Sequence, residues 1–233
     1  MGCSSVGRTT SSPTASAVRT EDLAGGRLDA LPSGPLFIRV QHFAQDPGTD
    51  FGSRTHQPGF VYQVDGSQLF EIQGGPTVPI RASYCYFQPA VAHTHVNPGP
   101  GTNSWYFIAL WPSSARAAPQ VTPSARVSFE TEDLSPADLP AAPYVETLQL
   151  VTLGPGGRTS AHQRGGMQVL FALSGSVRVE TSRGASILGA GDGEFIPFGT
   201  SEVEVNAGSG DARYLDFTAT PPTRPFEVTV PSP

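Results

Sequence analysis

Apolar and polar positions along this chain alternate mostly with a period of two. "SVRVET" (Ser176 to Thr181) and "SEVEVN" (Ser201 to Asn206) each place alternate residues on opposite faces, as half-buried strands do. "VLFALSG" is nearly continuous in apolar residues, the pattern of a strand covered on both sides. In "SYCYF" the alternation sets Tyr84 and Tyr86 on one face and Cys85 on the other. In "NSWYFIALW" it groups Trp105, Phe107, Ala109 and Trp111, with Tyr106 opposite. Short runs of this kind, bounded by Gly or Pro, predict an all-β chain of many short strands.

Composition supports that reading. The 233 residues include 26 glycines and 23 prolines, enough to turn the chain between every pair of strands. The net charge is −6, and every one of the 14 basic residues is arginine. The absence of lysine excludes Schiff-base chemistry through a side-chain amine. No basic patch points to nucleic acid, and no apolar run is long enough to be a transmembrane segment.

The first residues, "MGCSSVGRTTSSPTASAV", are rich in Ser and Thr and read as a tether over 1–30. "GCSS" resembles the end of a bacterial lipoprotein signal, which implies an extracytoplasmic domain lipid-anchored through Cys3. The sequence lacks the apolar run expected before such a cysteine, and a plain tail on a cytoplasmic protein is the alternative. The second cysteine, Cys85, reads as a small buried hydrophobe.

The chain repeats itself. "HTHVNPGPGTNSWYFIALWP" from His93 matches "EVEVNAGSGDARYLDFTATP" from Glu202, so that His93 aligns with Glu202, His95 with Glu204 and Asn97 with Asn206. Upstream, "FIRVQHFAQDPG" matches "VETLQLVTLGPG". Two related β units follow, over 31–115 and 144–222, with a Pro/Ala-rich linker over 116–143 and a tail over 223–233. Part of the linker is a candidate strand or short helix.

Within the second unit Gly156, His162, Arg164, Gln168 and Gly175 carry the spacing of a Gly-(five)-His-x-His-(three or four)-Glu-(six)-Gly motif. Gly191, Pro197, Gly199, Glu202 and Asn206 carry that of Gly-(five)-Pro-x-Gly-(two)-His-(three)-Asn. Together these frames resemble the cupin superfamily. The resemblance implies two tandem double-stranded β-helix (jelly-roll) barrels. It does not fix a function, because that fold serves many chemistries.

The same frame implies where ligands would stand. In the second barrel the four positions hold His162, Arg164, Gln168 and Glu202. An arginine repels a cation and keeps its proton, so the expectation is a degenerate site without metal, closed by an Arg164–Glu202 ion pair. In the first barrel Arg54-x-His56 opens the frame, Gly59 or Phe60 stands at the glutamate position, Ser83 replaces the second motif's glycine, and His93 and Asn97 end it. His93 and His95 share a strand face, so His56, His93 and His95 are the candidate metal ligands for Fe, Mn, Ni, Cu or Zn. Arg54 would disfavour metal there unless it faces outward or pairs with Asp50. Tyr62 and Tyr86 are candidate proton donors, and His42 reads as a surface residue or one standing behind the ligands. The functional expectation is a metal-dependent, dioxygenase-like enzyme acting on a small molecule, with lyase or isomerase chemistry also open. The alternative is a non-catalytic bicupin that binds a small molecule. A monomer or homodimer fits either.

Overall fold

The computed structural model describes residues 17–117, 124–135, 139 and 142–231. Cys3 and its proposed anchor lie outside them. The chain forms β1 (Val18–Leu28), then β2 (Leu36–Gln45), β3 (Gly59–Asp65), β4 (Ser67–Ile72), β5 (Thr77–Arg81), β6 (Cys85–Gln88), β7 (His93–Val96) and β8 (Asn103–Pro112). After β9 (Ala125–Glu130) the same plan recurs in β10 (Tyr144–Leu153), β11 (His162–Arg164), β12 (Met167–Ser174), β13 (Ser176–Thr181), β14 (Gly184–Gly189), β15 (Gly193–Ile196), β16 (Glu202–Asn206) and β17 (Ala212–Thr220). A short β18 (Glu227–Thr229) ends the series. The result is two jelly-roll barrels in one all-β chain.

In the front barrel the sheet β6-β3-β8-β2-β9 faces the sheet β5-β4-β7. In the rear barrel β1-β10-β17-β12-β15 faces β14-β13-β16-β11-β18. The barrels trade their edge strands. β1 precedes the front barrel but pairs with β10 of the rear one, from Val18↔Leu153 to Leu28↔Tyr144. β9 precedes the rear barrel but pairs with β2 of the front one. Residues 18–28, read from sequence as tether, are therefore a strand: their period is blurred by two glycines and a bulge between Asp22 and Ala24. The linker supplies β9, and the tail supplies β18, which pairs with β11.

The two large sheets pack on each other. Period two sends Phe60 and Tyr62 toward the rear barrel while Val61 fills the front interior. Phe60 meets Phe217 edge-on at 6.0 Å, and Tyr106 meets Phe171 at 4.9 Å. β12 is buried on both faces over Met167–Ala172, which explains its nearly unbroken apolar run. One carboxyl breaks this interface. Glu146 lies on the same face as Tyr144, Leu148 and Leu150, is 1% exposed, and neither oxygen has a hydrogen-bond partner among the described residues. Burial pushes it up to about 8.

The repeat's glycines and asparagines are structural. Gly66 and Gly175 turn β3 into β4 and β12 into β13 at φ of 70° and 74°. A Cβ at Gly175 would lie 2.7 Å from the backbone of residues 211 and 212. Asn97 Nδ2 donates to the carbonyls of Gln45 and Gly101, and Asn206 Nδ2 does the same to Leu153 and Gly210. Each asparagine pins the end of its strand, Asn97 beyond β7 and Asn206 at the end of β16.

Candidate metal centre

β7 carries His93 and His95 at alternate positions, so both imidazoles point into the front barrel, 1% and 5% exposed. The segment after β2 runs antiparallel beside β7, held by the bridges Asp50↔Val96 and Arg54↔His93. It delivers His56 to the same place. Ligand nitrogens of His56, His93 and His95 all lie within 4.8 Å of one another. Gln45 fixes the β7 backbone by donating to the His95 carbonyl at 2.8 Å.

The Nδ1 atoms are all engaged. His93 Nδ1 donates to the Val91 carbonyl at 2.7 Å, His56 Nδ1 to the Gln57 carbonyl at 2.9 Å, and His95 Nδ1 to Gln68 Oε1 at 2.6 Å. Gln68 is itself tied to Gln63. Donation from Nδ1 leaves each Nε2 unprotonated, the tautomer a metal needs. His93 Nε2 is buried without a hydrogen-bond partner among the described residues. His56 Nε2 accepts from Gln88 Nε2 at 3.0 Å. Burial lowers all three imidazoles: His56 to about 4, His95 well below its ordinary value, and His93 in the same direction. Neutral imidazoles at neutral pH are competent ligands, so these residues fit a divalent transition metal.

Aromatic rings hold the imidazoles in place. Phe70 stacks on His93 at 4.6 Å and Trp105 on His95 at 5.4 Å, while Phe107 meets His56 edge-on at 4.7 Å. Beside them lies a cavity of about 150 Å³ walled by Phe43, Phe51, Trp105, Phe107 and Trp111, with His56 and His95 in its lining. Arg54 also lines it. Its Nη2 donates to the Phe51 carbonyl and its Nε to the Gly52 carbonyl at 3.4 Å. The guanidinium is half-buried and feels the charge of Asp50, whose carboxylate accepts from the Gly52 amide, without a direct ion pair among the described residues.

Register settles the glutamate position. Gly59↔Gln88 in the front barrel corresponds to Gln168↔Ile196 in the rear. A Cβ on Gly59 would lie 2.4 Å from the Ile108 carbonyl oxygen, so no carboxylate fits there. The tyrosines need correction. Tyr62 points to the other face of β3, into the contact between barrels, where it meets Arg213, and so it is no proton donor to this site. Tyr86 is on the site's side but reaches Phe70 at 5.1 Å and stands one ring removed from the imidazoles. His42 sits on the opposite face against Tyr106.

The rear barrel also differs from expectation. Arg164 does not pair with Glu202. Its Nη1 binds Glu227 Oε2 at 2.6 Å and its Nη2 binds Asp216, with the Phe226 ring beneath it. Gln168 also donates to Asp216, at 3.0 Å. Glu227 comes from the tail and Asp216 from a strand position that is Phe107 in the front barrel, so the motif frame flagged neither. With Arg164 engaged, His162, Glu202 and Glu204 form a second group whose ligand atoms lie within 4.8 Å of one another. The expected Arg164–Glu202 ion pair is therefore not formed among the described residues, although the charge of Arg164 is felt by Glu204. Glu204 was legible as the aligned partner of His95. Burial pushes Glu202 up to about 8 and raises Glu204 too. Burial pulls His162 down, but contact with Glu202 and the charge of Glu204 prevail and carry it up to about 9.

No family model matches this chain, and no curated protein matches it. Solved structures do. AerE from Microcystis aeruginosa matches at 15% identity over 78% of this chain and 87% of its own, with a TM-score of 0.55. Oxalate decarboxylase from Bacillus subtilis, described with Mn(II) centres, matches at 12% identity over 96% of this chain and 82% of its own, TM-score 0.58. Another structure of that enzyme reaches 0.60. At these identities the likeness establishes the two-barrel cupin fold.

Proposed function

We propose that this protein is a metal-dependent bicupin whose front barrel oxidises a small, planar, anionic molecule in a dioxygenase-like reaction. The observation carrying this reading is the convergence of His56, His93 and His95, two of which, His56 and His95, line an aromatic cavity that Arg54 also lines. A bound Fe, Mn, Ni, Cu or Zn would supply Lewis acidity, or O₂ activation where the ion is redox-active. The chain's own contribution is orientation and exclusion of water. Arg54 offers a half-buried cation to a carboxylate, and the indoles of Trp105 and Trp111 offer flat walls to a planar body. Gln68 holds His95 in its ligand tautomer. The cavity-lining groups able to carry a proton are the imidazoles themselves, and ligation would occupy them. That favours chemistry centred on the metal over proton shuttling by side chains, and so oxidation over lyase or isomerase steps.

The test is oxygen uptake by metal-loaded protein across a panel of small aromatic carboxylates. Metal-dependent uptake should be abolished by His93→Ala, and Arg54→Leu should raise KM more than it lowers kcat. Tight ligand binding without turnover for any loaded metal would reject the enzyme and leave a small-molecule-binding bicupin. A lipid anchor at Cys3 outside the cytoplasm remains part of the proposal, checked by metabolic labelling with palmitate.

A further inference from the structure

Beside the three imidazoles of the front barrel stands a polar side chain with an unmet valence. Gln88, the last residue of β6, is 0% exposed, and its Oε1 is buried without a hydrogen-bond partner among the described residues. Its Nε2 lies 3.0 Å from His56 Nε2 and 3.2 Å from His56 Nδ1. A donor that near to both nitrogens of one ring lies off the lone-pair axis of each, so the bond is poorly aligned. His56 Nδ1 is in any case committed to the Gln57 carbonyl. The His56 ring meets that of His93 at 4.9 Å, and His93 Nε2 is likewise buried without a hydrogen-bond partner among the described residues. A buried carboxamide oxygen with nothing to accept is costly, and here it borders the place where the imidazoles converge.

Register explains why a glutamine stands there. Gln88 is the cross-strand partner of Gly59, so the two positions are neighbours on one face of the sheet. At Gly59 a Cβ would strike the Ile108 carbonyl oxygen at 2.4 Å and the Ala109 Cβ at 2.7 Å. The space beside the imidazoles is therefore reached from β6 and not from β3. In the rear barrel the equivalent pair is Gln168 and Ile196, with the carboxamide on the other strand and an apolar partner across from it. The front barrel reverses that pair.

A carboxamide has two ends of nearly equal size, and half a turn about its last torsion exchanges Oε1 for Nε2. With Oε1 toward the imidazoles it offers an ion a neutral oxygen. Three imidazoles and a carboxamide carry no charge. The described residues lining the adjoining cavity include no acid, and Arg54 is the charged group among them. A divalent ion held by such a set keeps its full charge, which the substrate's anionic group must then balance.

We infer that Gln88 is a fourth protein ligand of the front centre, a neutral oxygen donor supplied from β6 where Gly59 leaves no room for a carboxylate, and that its neutrality reserves the ion's charge for an anionic substrate. The inference rests on the three-imidazole centre proposed above. The experiment uses the full chain carrying Glu202→Gln and Glu204→Gln, which confines metal to the front barrel. Cu²⁺ is titrated into the chelator-stripped protein and followed by electron paramagnetic resonance, and azide is then titrated into the loaded protein as a probe anion. Gln88→Leu should weaken Cu²⁺ binding by a factor on the order of 10–100 and alter its spectrum. Gln88→Glu, nearly isosteric, should bind Cu²⁺ more tightly than the parent and azide less tightly. Melting curves of the metal-free variants identify any that fails to fold, and Gln88→Glu alone decides the matter should Gln88→Leu do so. Cu²⁺ affinity and spectrum unchanged in Gln88→Leu overturn the inference and leave the three-imidazole centre standing. Weaker Cu²⁺ binding in Gln88→Glu overturns it too, by reducing Gln88 to packing. A parent chain that binds no Cu²⁺ removes the centre and the inference together.

Discussion

At the scale of single residues, charge burial separates the two halves of this molecule. In the front barrel burial keeps imidazoles neutral, which is what ligation requires. In the rear it raises the carboxyls of Glu202 and Glu204, which in turn raise His162. Glu146 shows the same force at the contact between barrels, where no ligand site explains it. A carboxyl raised to about 8 keeps its proton in the folded state while the unfolded chain releases it near the ordinary 4.5. The folded state then binds more protons across that window. Stability falls as pH rises from 4.5 toward 8, by at most about 1.4 kcal/mol per pH unit from this group. Glu146→Gln removes the titration. The variant should melt higher than the parent at pH 8, with the advantage shrinking toward pH 4.5, in parallel calorimetric scans. An advantage independent of pH would assign the effect to packing instead.

At the scale of elements, turns and edges matter most. Ser83 stands where the rear barrel has Gly191, and it adopts φ of 67° against 92° for the glycine. An L-residue pays for that left-handed backbone, while glycine does so only through greater unfolded-state entropy. Ser83→Gly should be neutral to stabilising, by up to about 1 kcal/mol in denaturant melts. A clear loss would mean that the serine side chain is needed at the turn. The motif frame anticipated this position, and alternation anticipated the two faces of "NSWYFIALW", because positive-φ turns and period two are local properties; in "SYCYF" it separated Cys85 from Tyr86, while Tyr84 precedes the strand and is exposed. β1 and β18 escaped it, and β9 was foreseen only as a candidate strand or short helix in the linker. Edge strands are specified by the partner they cover: β1 carries two glycines and several charges, and β18 is three residues long. The Arg164 contacts escaped with them: the frame offered Glu202 as the nearest acid, whereas the fold brings Glu227 and Asp216 from strands the motif does not span. Tyr62 was misassigned because alternation gives two faces to a strand but not which one looks inward when both are buried.

At the scale of the whole molecule, the exchange of β1 and β9 makes the barrels one folding unit. Neither large sheet is complete without a segment that precedes the other barrel, and the shared core joins Ile38, Val40 and Phe60 to Leu148, Val169 and Phe217. Two copies of one unit, packed face to face, could then diverge inside while the shell stayed the same. Phe107 against Asp216, and Gly59 against Gln168, are that divergence: an aromatic, hydrophobic interior in front and a polar one behind. The central claim is that the front interior is a metal centre built by three imidazoles. It is tested most directly by elemental analysis of the Glu202→Gln, Glu204→Gln chain after loading separately with Fe, Mn, Ni, Cu and Zn and desalting. One equivalent of at least one metal should remain and should vanish on adding His93→Ala. No retained metal in the folded protein under any of these loadings, or retention unchanged by His93→Ala, would contradict it.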